Sequence, residues 1–127
     1  MKVESVEEPD LGDDEVLVRM EAIGVNPVET YIRSGSYARV PPLPYTPGSD
    51  GAGVVEKAGP SSPWKEGDRV YLCGSLSGSY AEKSVCSSSQ LQSLPAGISF
   101  EQGAAVYVPY ATAYTALFHS ARYVTAT

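Results

Sequence analysis

The sequence predicts a mainly β domain with some α, in which five or six strands precede two helices. Twelve glycines and ten prolines are distributed along the 127 residues, which indicates many turns and short strands rather than a helical bundle. Apolar residues alternate along 15–23, as expected of a half-buried strand. After residue 98 the spacing of apolar residues changes to a helical period. Hydrophobic residues make up 43% of the chain, which is enough for a modest core.

The first elements follow from local composition. Residues 2–6 have the composition of a short strand, and residues 7–14 that of a loop. The strand over 15–23 comes next and places four apolar side chains on one face: Val16, Val18, Met20 and Ala22. The chain therefore enters its first long strand after an acidic leader.

A short helix with both ends marked follows this strand. Asn26 suits the N-cap, and Pro27 suits the first helical position because its missing N–H costs nothing there. Glu29 lies three residues after Asn26, which is the spacing of a capping box. Gly35 is a fitting stop. The simplest interpretation is a capped surface helix that carries an amide, a guanidinium and the phenol of Tyr31 on its flanks.

The segment 36–48 is predicted to be a stiff loop, because its four prolines exclude a helix interior and a central strand. It carries Tyr37 and Tyr45, which either cover the edge of the core or line a binding site. A strand is predicted over 49–57, where Gly51 and Gly53 indicate a bulge or a close backbone approach. Residues 66–72 are predicted to be a turn that enters another strand. A further strand is predicted over 80–86, with a polar connection over 84–93.

The two helices are predicted at the end of the chain. Ser99 suits an N-cap, with Gln102 at the capping-box spacing. Apolar residues then recur at a helical period over 109–122.

The charge distribution excludes several classes of protein. The net charge is −6, and residues 1–15 account for all of it with seven acids and one lysine, while the remainder is neutral. An acidic leader on a balanced body argues against non-specific binding of nucleic acid. No apolar run approaches the length of a membrane span, and no secretion signal opens the sequence. We therefore expect a cytoplasmic protein in which Cys73 and Cys86 are reduced thiols.

The sequence predicts neither a phosphate loop nor a metal site. The run 48–53 has the spacing GxxGxG and opens a strand, whereas a phosphate loop must open a helix. A Cys/His zinc site has too few ligands, because no CxxC occurs and His119 is the single histidine. What remains is a polar and aromatic site whose chemistry does not follow from composition, formed by Asn26, Tyr31, Tyr37 and Tyr45.

Six segments, taken in order, resemble a known family: 24–35, 44–54, 67–70, 78–82, 102–105 and 112–114. They are similar to the zeta-crystallin family of NADPH-dependent quinone oxidoreductases, a zinc-free branch of the medium-chain dehydrogenase/reductase superfamily. The resemblance implies a GroES-like, partly open β-barrel over 1–98 and a helical segment over 99–127. In the family this segment leads to a Rossmann domain that holds NADPH. The chain is expected to lack that Rossmann domain. The first strand of its GroES-like domain is expected to be truncated.

The resemblance also implies roles for the candidate residues. Zinc-dependent relatives place a Cys, and then a His-Glu pair, where this chain has Asn26 and Ser49–Asp50, so no metal is expected. Asn26 and Tyr31 become catalytic hydrogen-bond donors and cofactor contacts, and Tyr37 and Tyr45 become walls for a quinone substrate. The family implies homo-oligomers, and the isolated chain is expected to bind NADPH poorly and to be weakly active or inactive. Two alternatives stay open: a non-catalytic structural or dimerising fragment, like a crystallin, and a zinc-free enone reductase.

Overall fold

A computed structural model describes residues 1–120 and shows one antiparallel five-stranded sheet with helices around it. The strands are β1 Glu15–Gly24, β2 Asp50–Ala58, β3 Arg69–Leu72, β4 Lys83–Ser87 and β5 Leu91–Ser93. The helices are α1 Pro27–Ser34, α2 Phe100–Ala104 and α3 Tyr107–Tyr114, with a 3-10 turn at Ser88–Gln90 and a π-helical turn at Thr115–Ser120. The strand order is β4-β1-β2-β3-β5. The predicted fold class, a mainly β body followed by helices, is confirmed.

The main core lies on one face of this sheet, where alternate residues of β1 meet apolar side chains of the other strands. Its buried members are Val16, Val18, Val55, Val70, Leu72, Cys86 and Leu91. A second cluster joins Ala52 of β2 and Leu94 to Ala104 of α2. The first helix of the C-terminal pair is therefore fixed on the sheet by apolar contacts.

The two glycines of β2 allow the close approach that the sequence predicts. The pairing of β1 with β2 shifts register between Met20 and Ala22, opposite Gly53 and Ala52. A Cβ on Gly53 would lie 2.0 Å from the backbone oxygen of Arg19. Only glycine fits at this irregularity.

The strand predicted over residues 2–6 does not form. Residues 2–6 form no strand and are exposed, because the backbone there pairs with none of the described strands. Glu8 nevertheless holds this leader to the sheet through an ion pair with Lys83. The turn that enters a strand over 66–72 is confirmed: Gly67 has a φ of 93°, and β3 begins at Arg69.

The polar connection predicted over 84–93 is wrong as well. It contains the end of β4, the 3-10 turn and the short strand β5. Leu91 is 2% exposed and pairs with Leu72, so one apolar side chain anchors a strand whose other two residues face solvent. At the start of α2, the predicted capping box of Ser99 and Gln102 is confirmed by reciprocal hydrogen bonds of 3.0 and 3.1 Å.

The helix predicted over 109–122 begins earlier, at Tyr107, and becomes π-helical after Tyr114. Its last two predicted residues lie outside the described part of the chain. Within residues 1–120, no helix combines the length and apolar character that crossing a membrane requires.

Candidate functional site

Asn26 lies at the N-cap of α1, as predicted, and is 9% exposed. The backbone N–H of Asn26 donates to Oε2 of Glu29 at 2.5 Å, which is one half of a capping box. The side-chain nitrogen Nδ2 of Asn26 donates to Oδ2 of Asp50 at 3.0 Å. The helix start thus leaves the amide of Asn26 available to β2.

The pairing of β1 with β2 brings Asp50 to this amide. Gly24 is opposite Asp50 in the register, and a Cβ on Gly24 would lie 2.8 Å from Cβ of Asp50 and 2.6 Å from the backbone oxygen of Ala104. The missing side chain of Gly24 is therefore what lets β2 and α2 approach the end of β1.

The carboxylate of Asp50 is 1% exposed and joins two elements of the site. Besides Asn26, it accepts a hydrogen bond at 3.1 Å from the backbone N–H of Val108, in the first turn of α3. Burial raises the pKa of Asp50; the two hydrogen bonds oppose this effect, and the negative charge of Glu29 adds to it. An ionised carboxylate only accepts hydrogen bonds, so it fixes the Nδ2 end of Asn26 toward β2.

Glu29 forms a second cross-link, to the half-buried Tyr80. Its side chain is 6% exposed, and Oε2 accepts a hydrogen bond from the hydroxyl of Tyr80 at 2.8 Å. Burial, together with the hydrogen bond to Glu29 and its charge, raises the pKa of Tyr80 to about 12. Tyr80 therefore stays protonated and remains a donor at neutral pH.

The sequence predicts a capping role for Glu29 and no functional contact for Asp50 or Tyr80. Glu29 and Tyr80 are 51 residues apart, and Asn26 and Asp50 are 24 apart. The spacing of the capping box was the one local signal that pointed at Glu29.

The three predicted site tyrosines lie in different environments. Tyr31 is 54% exposed on α1, and Tyr37 is 48% exposed in the proline-rich loop. The hydroxyl of Tyr45 is buried and has no hydrogen-bond partner among the described residues. Tyr45 therefore differs from the other two in facing the interior.

Tyr45 lines a cavity of about 160 Å³ between α1 and the proline-rich loop, and Tyr37 does not line it. The lining also includes Glu29, Ile32, Arg39, Pro41 and Ser49. The cavity thus brings Tyr45 beside the same Glu29 that holds the backbone of Asn26.

The start of α1 is not arranged to bind an anion. Pro27 has no N–H, and the carboxylate of Glu29 already occupies the N–H of Asn26. The glycine run 48–53 opens strand β2, as predicted, and does not open a helix.

The remaining reactive side chains lie apart from one another. Within residues 1–120, no three side chains of the His, Cys, Asp or Glu types come together in a way that could hold a metal ion. Cys73 and Cys86 are free thiols. Burial raises the pKa of Cys86 to about 11, and burial together with the charge of Asp50 raises the pKa of Cys73. His119 lies on the exposed helical end, 5.6 Å from the ring of Tyr114.

Residues 12–113 match the family described as the alcohol dehydrogenase GroES-like domain. Over 110 residues the chain is 54% identical to the quinone oxidoreductase of Homo sapiens. The matched region covers 86% of this chain and 33% of that protein. It is 42% identical over 111 residues to the synaptic vesicle membrane protein VAT-1 homolog of Rattus norvegicus, covering 87% and 27% of the two chains.

Among solved structures, the chain is similar to the quinone oxidoreductase of Escherichia coli complexed with NADPH. The TM-score is 0.84 at 38% identity, over 91% of this chain and 36% of that one. The chain spans about a third of the length of the quinone oxidoreductase relatives that it matches.

Proposed function

Because this chain belongs to the alcohol dehydrogenase GroES-like domain family, we propose that it is the catalytic-domain part of an NADPH-dependent quinone oxidoreductase. The similarity to quinone oxidoreductases of the medium-chain dehydrogenase/reductase superfamily over 86% of the chain supports this assignment. In this proposal residues 1–98 form the catalytic domain, and residues 99–127 form a helical segment toward a cofactor domain. The observation that carries the proposal is the buried Asn26 amide, held by Asp50.

The residues of α1 fit the nicotinamide end of NADPH, which when bound supplies a hydride. Tyr31 is half exposed and offers a flat ring and a phenol for such a contact, on the same helix as Asn26. The start of α1 repels phosphate through Glu29. We therefore propose that this chain contacts the nicotinamide end and that it binds NADPH weakly by itself.

The residues of the chain would act on the carbonyl oxygen of a quinone. Asn26 uses one N–H for Asp50, and the second N–H of the same amide is left to donate to an oxygen that gains negative charge. Tyr31 supplies a second donor from its exposed phenol. One such preorganised donor is typically worth about 2.7–4 kcal/mol in the transition state. Tyr37 and Tyr45 are proposed as the walls for the quinone ring.

A zinc-independent reaction, a cytoplasmic location and homo-oligomeric assembly belong to the same proposal. The first is supported by the amide of Asn26, which occupies the position where zinc-dependent relatives have a Cys. The second is supported by the free thiols of Cys73 and Cys86. The third is supported by the family resemblance.

The test is the oxidation of NADPH with 1,2-naphthoquinone. It is measured for this chain and for the chain fused to the cofactor domain of human quinone oxidoreductase. We expect turnover by the fusion and little by the chain alone. Asn26→Ala in the fusion is expected to lower kcat by about 10²–10³. Ser34→Ala, at the exposed end of the same helix, serves as the control.

Failure of the fusion to reduce the quinone would contradict the proposal. Reduction of cyclohexenone without any reduction of the quinone would instead support the enone reductase alternative.

A further inference from the structure

The carboxylate of Asp50 is shared between the amide of Asn26 and the first turn of α3. Its Oδ2 accepts from Nδ2 of Asn26 at 3.0 Å, and the backbone N–H of Val108 lies 3.1 Å from Oδ1 and 3.3 Å from Oδ2. Asp50 is 1% exposed, and a hydrogen bond inside a protein is electrostatically stronger than one in water. Both partners donate, and an ionised carboxylate accepts at both of its oxygens.

The same carboxylate holds α3 on the sheet. Among the hydrogen bonds between residues 1–120, those from Val108 to Asp50 are the ones that join α3 to a strand. All residues of 109–120 are exposed, so the chain leaves the body of the domain directly after this contact. A displacement of the first turn of α3 therefore changes the bonds that Asp50 makes.

The direction of the Asn26 amide depends on Asp50. An asparagine side chain carries a donor nitrogen and an acceptor oxygen, and a half-turn about its last bond exchanges their places. The reversed direction would place the oxygen of Asn26 against an oxygen of Asp50, with no hydrogen between the two acceptors. Asp50 therefore selects the direction in which Nδ2 faces β2.

We propose that Asp50 is a positioning residue that sets the direction of the Asn26 amide and couples it to the placement of α3. The role in catalysis rests on the proposed function, in which the second N–H of Asn26 donates to the quinone oxygen and α3 belongs to the segment toward the cofactor domain. A cofactor domain that moves α3 then also moves the donor for the quinone oxygen.

The coupling is tested on the chain without NADPH and without quinone. Asn26 is the single asparagine of the sequence, so labelling with ¹⁵N-asparagine gives an NMR spectrum with one side-chain amide group. Val108→Pro removes the N–H that Asp50 accepts, and proline is tolerated in the first turn of a helix. We expect the two Nδ2 protons of Asn26 to change their chemical shifts. Val108→Ala shortens the side chain, keeps the N–H and is the matched control, in which these shifts should stay close to those of the wild type.

Asp50→Asn tests the carboxylate itself and keeps the proposal testable if Val108→Pro fails to fold. An amide at position 50 has one acceptor oxygen, so its nitrogen must face either Asn26 or Val108, both of which are donors. We expect shifted Nδ2 protons in the labelled chain. In the fusion to the cofactor domain, kcat for 1,2-naphthoquinone should fall by about 10²-fold, the cost of a misplaced group, with a smaller change in KM. Glu101→Gln removes an exposed carboxylate from the first turn of α2 and is the control.

Unchanged Nδ2 signals in folded Val108→Pro would overturn the coupling, as would equal shifts in Val108→Pro and Val108→Ala. Unchanged Nδ2 signals in Asp50→Asn, or an unchanged kcat of this variant in an active fusion, would overturn the positioning role. Shifted signals in a chain whose fusion reduces no quinone would reject the proposed function and keep the coupling between α3 and Asn26.

Discussion

The hydrogen bond between Tyr80 and Glu29 is expected to be a large single contribution to the stability of this domain. Tyr80→Phe removes the hydroxyl that donates to Oε2 of Glu29 at 2.8 Å and keeps the ring. Hydrogen bonds to charged groups contribute about 1.5–3 kcal/mol. Oε2 of Glu29 keeps its bond from the N–H of Asn26, so the carboxylate is not left wholly unpaired. We therefore expect a loss of about 2 kcal/mol in the free energy of unfolding.

Urea unfolding measures this loss through the fluorescence of Trp64, which packs against the main core and donates to the backbone oxygen of Ser88 at 3.0 Å. A double-mutant cycle with Glu29→Ala isolates the pair. In that background Tyr80→Phe is expected to cost less than about 0.5 kcal/mol, which gives a coupling energy of about 1.5 kcal/mol. Tyr110→Phe, on the exposed face of α3, is expected to change stability by no more than about 0.5 kcal/mol.

An equal cost of Tyr80→Phe with and without Glu29 would show that the hydrogen bond to Glu29 does not contribute this stability. Alkaline titration gives an independent check, because the pKa of Tyr80 is raised to about 12 in the folded state. The stability that this group contributes is complete below its ordinary pKa and is lost as the pH rises toward 12. The absorbance titration of Tyr80→Phe should lack the phenol that ionises near that pH.

Three further predictions concern Asp50, Gly48 and Cys86. Burial raises the pKa of Asp50, so the folded state keeps this proton to a higher pH than the unfolded state does. The stability of the wild type relative to Asp50→Asn should therefore fall as the pH rises above about 4. A urea midpoint of the wild type that rises with pH relative to that of Asp50→Asn would contradict this. Gly48→Ala should lower the free energy of unfolding by more than about 2 kcal/mol, because the added Cβ would lie 2.2 Å from Oγ of Ser79. Gly67 also has a positive φ, but a Cβ there would meet no atom within 4 Å. Gly67→Ala should therefore cost less in the same urea assay. Cys86, buried with a pKa raised to about 11, should react with a thiol reagent only as fast as the domain opens, and fast labelling at pH 7 would show that the core is not formed.

Much of the fold could be predicted because its signals are local. The alternation along β1 places Val16 and Val18 in the core, where both are 0% exposed. Asn26 and Gly35 mark the ends of α1 through backbone geometry within a few residues, and Gly35 has the positive φ of 81° that a helix stop requires. These patterns depend on periodicity and on contacts within one helical turn.

Short elements with few buried residues could not be predicted from these local patterns. Strand β5 has one buried apolar residue, Leu91, and two polar residues that resemble a loop. Residues 2–6 have suitable strand composition, yet strand formation needs a partner edge that the described sheet does not offer them. Composition gives the capacity to form a strand, and only pairing makes one.

In the candidate site, too, local features could be predicted and long-range contacts could not. Local sequence patterns are enough to predict that Asn26 caps a helix and that Glu29 lies at the capping-box position. Only the tertiary structure decided that the amide of Asn26 turns to Asp50, that Tyr80 bonds to Glu29, and that the hydroxyl of Tyr45 is buried without a partner. The reason is that these contacts depend on strand register and loop placement, which bring together residues far apart in the chain and leave no periodic trace in the sequence.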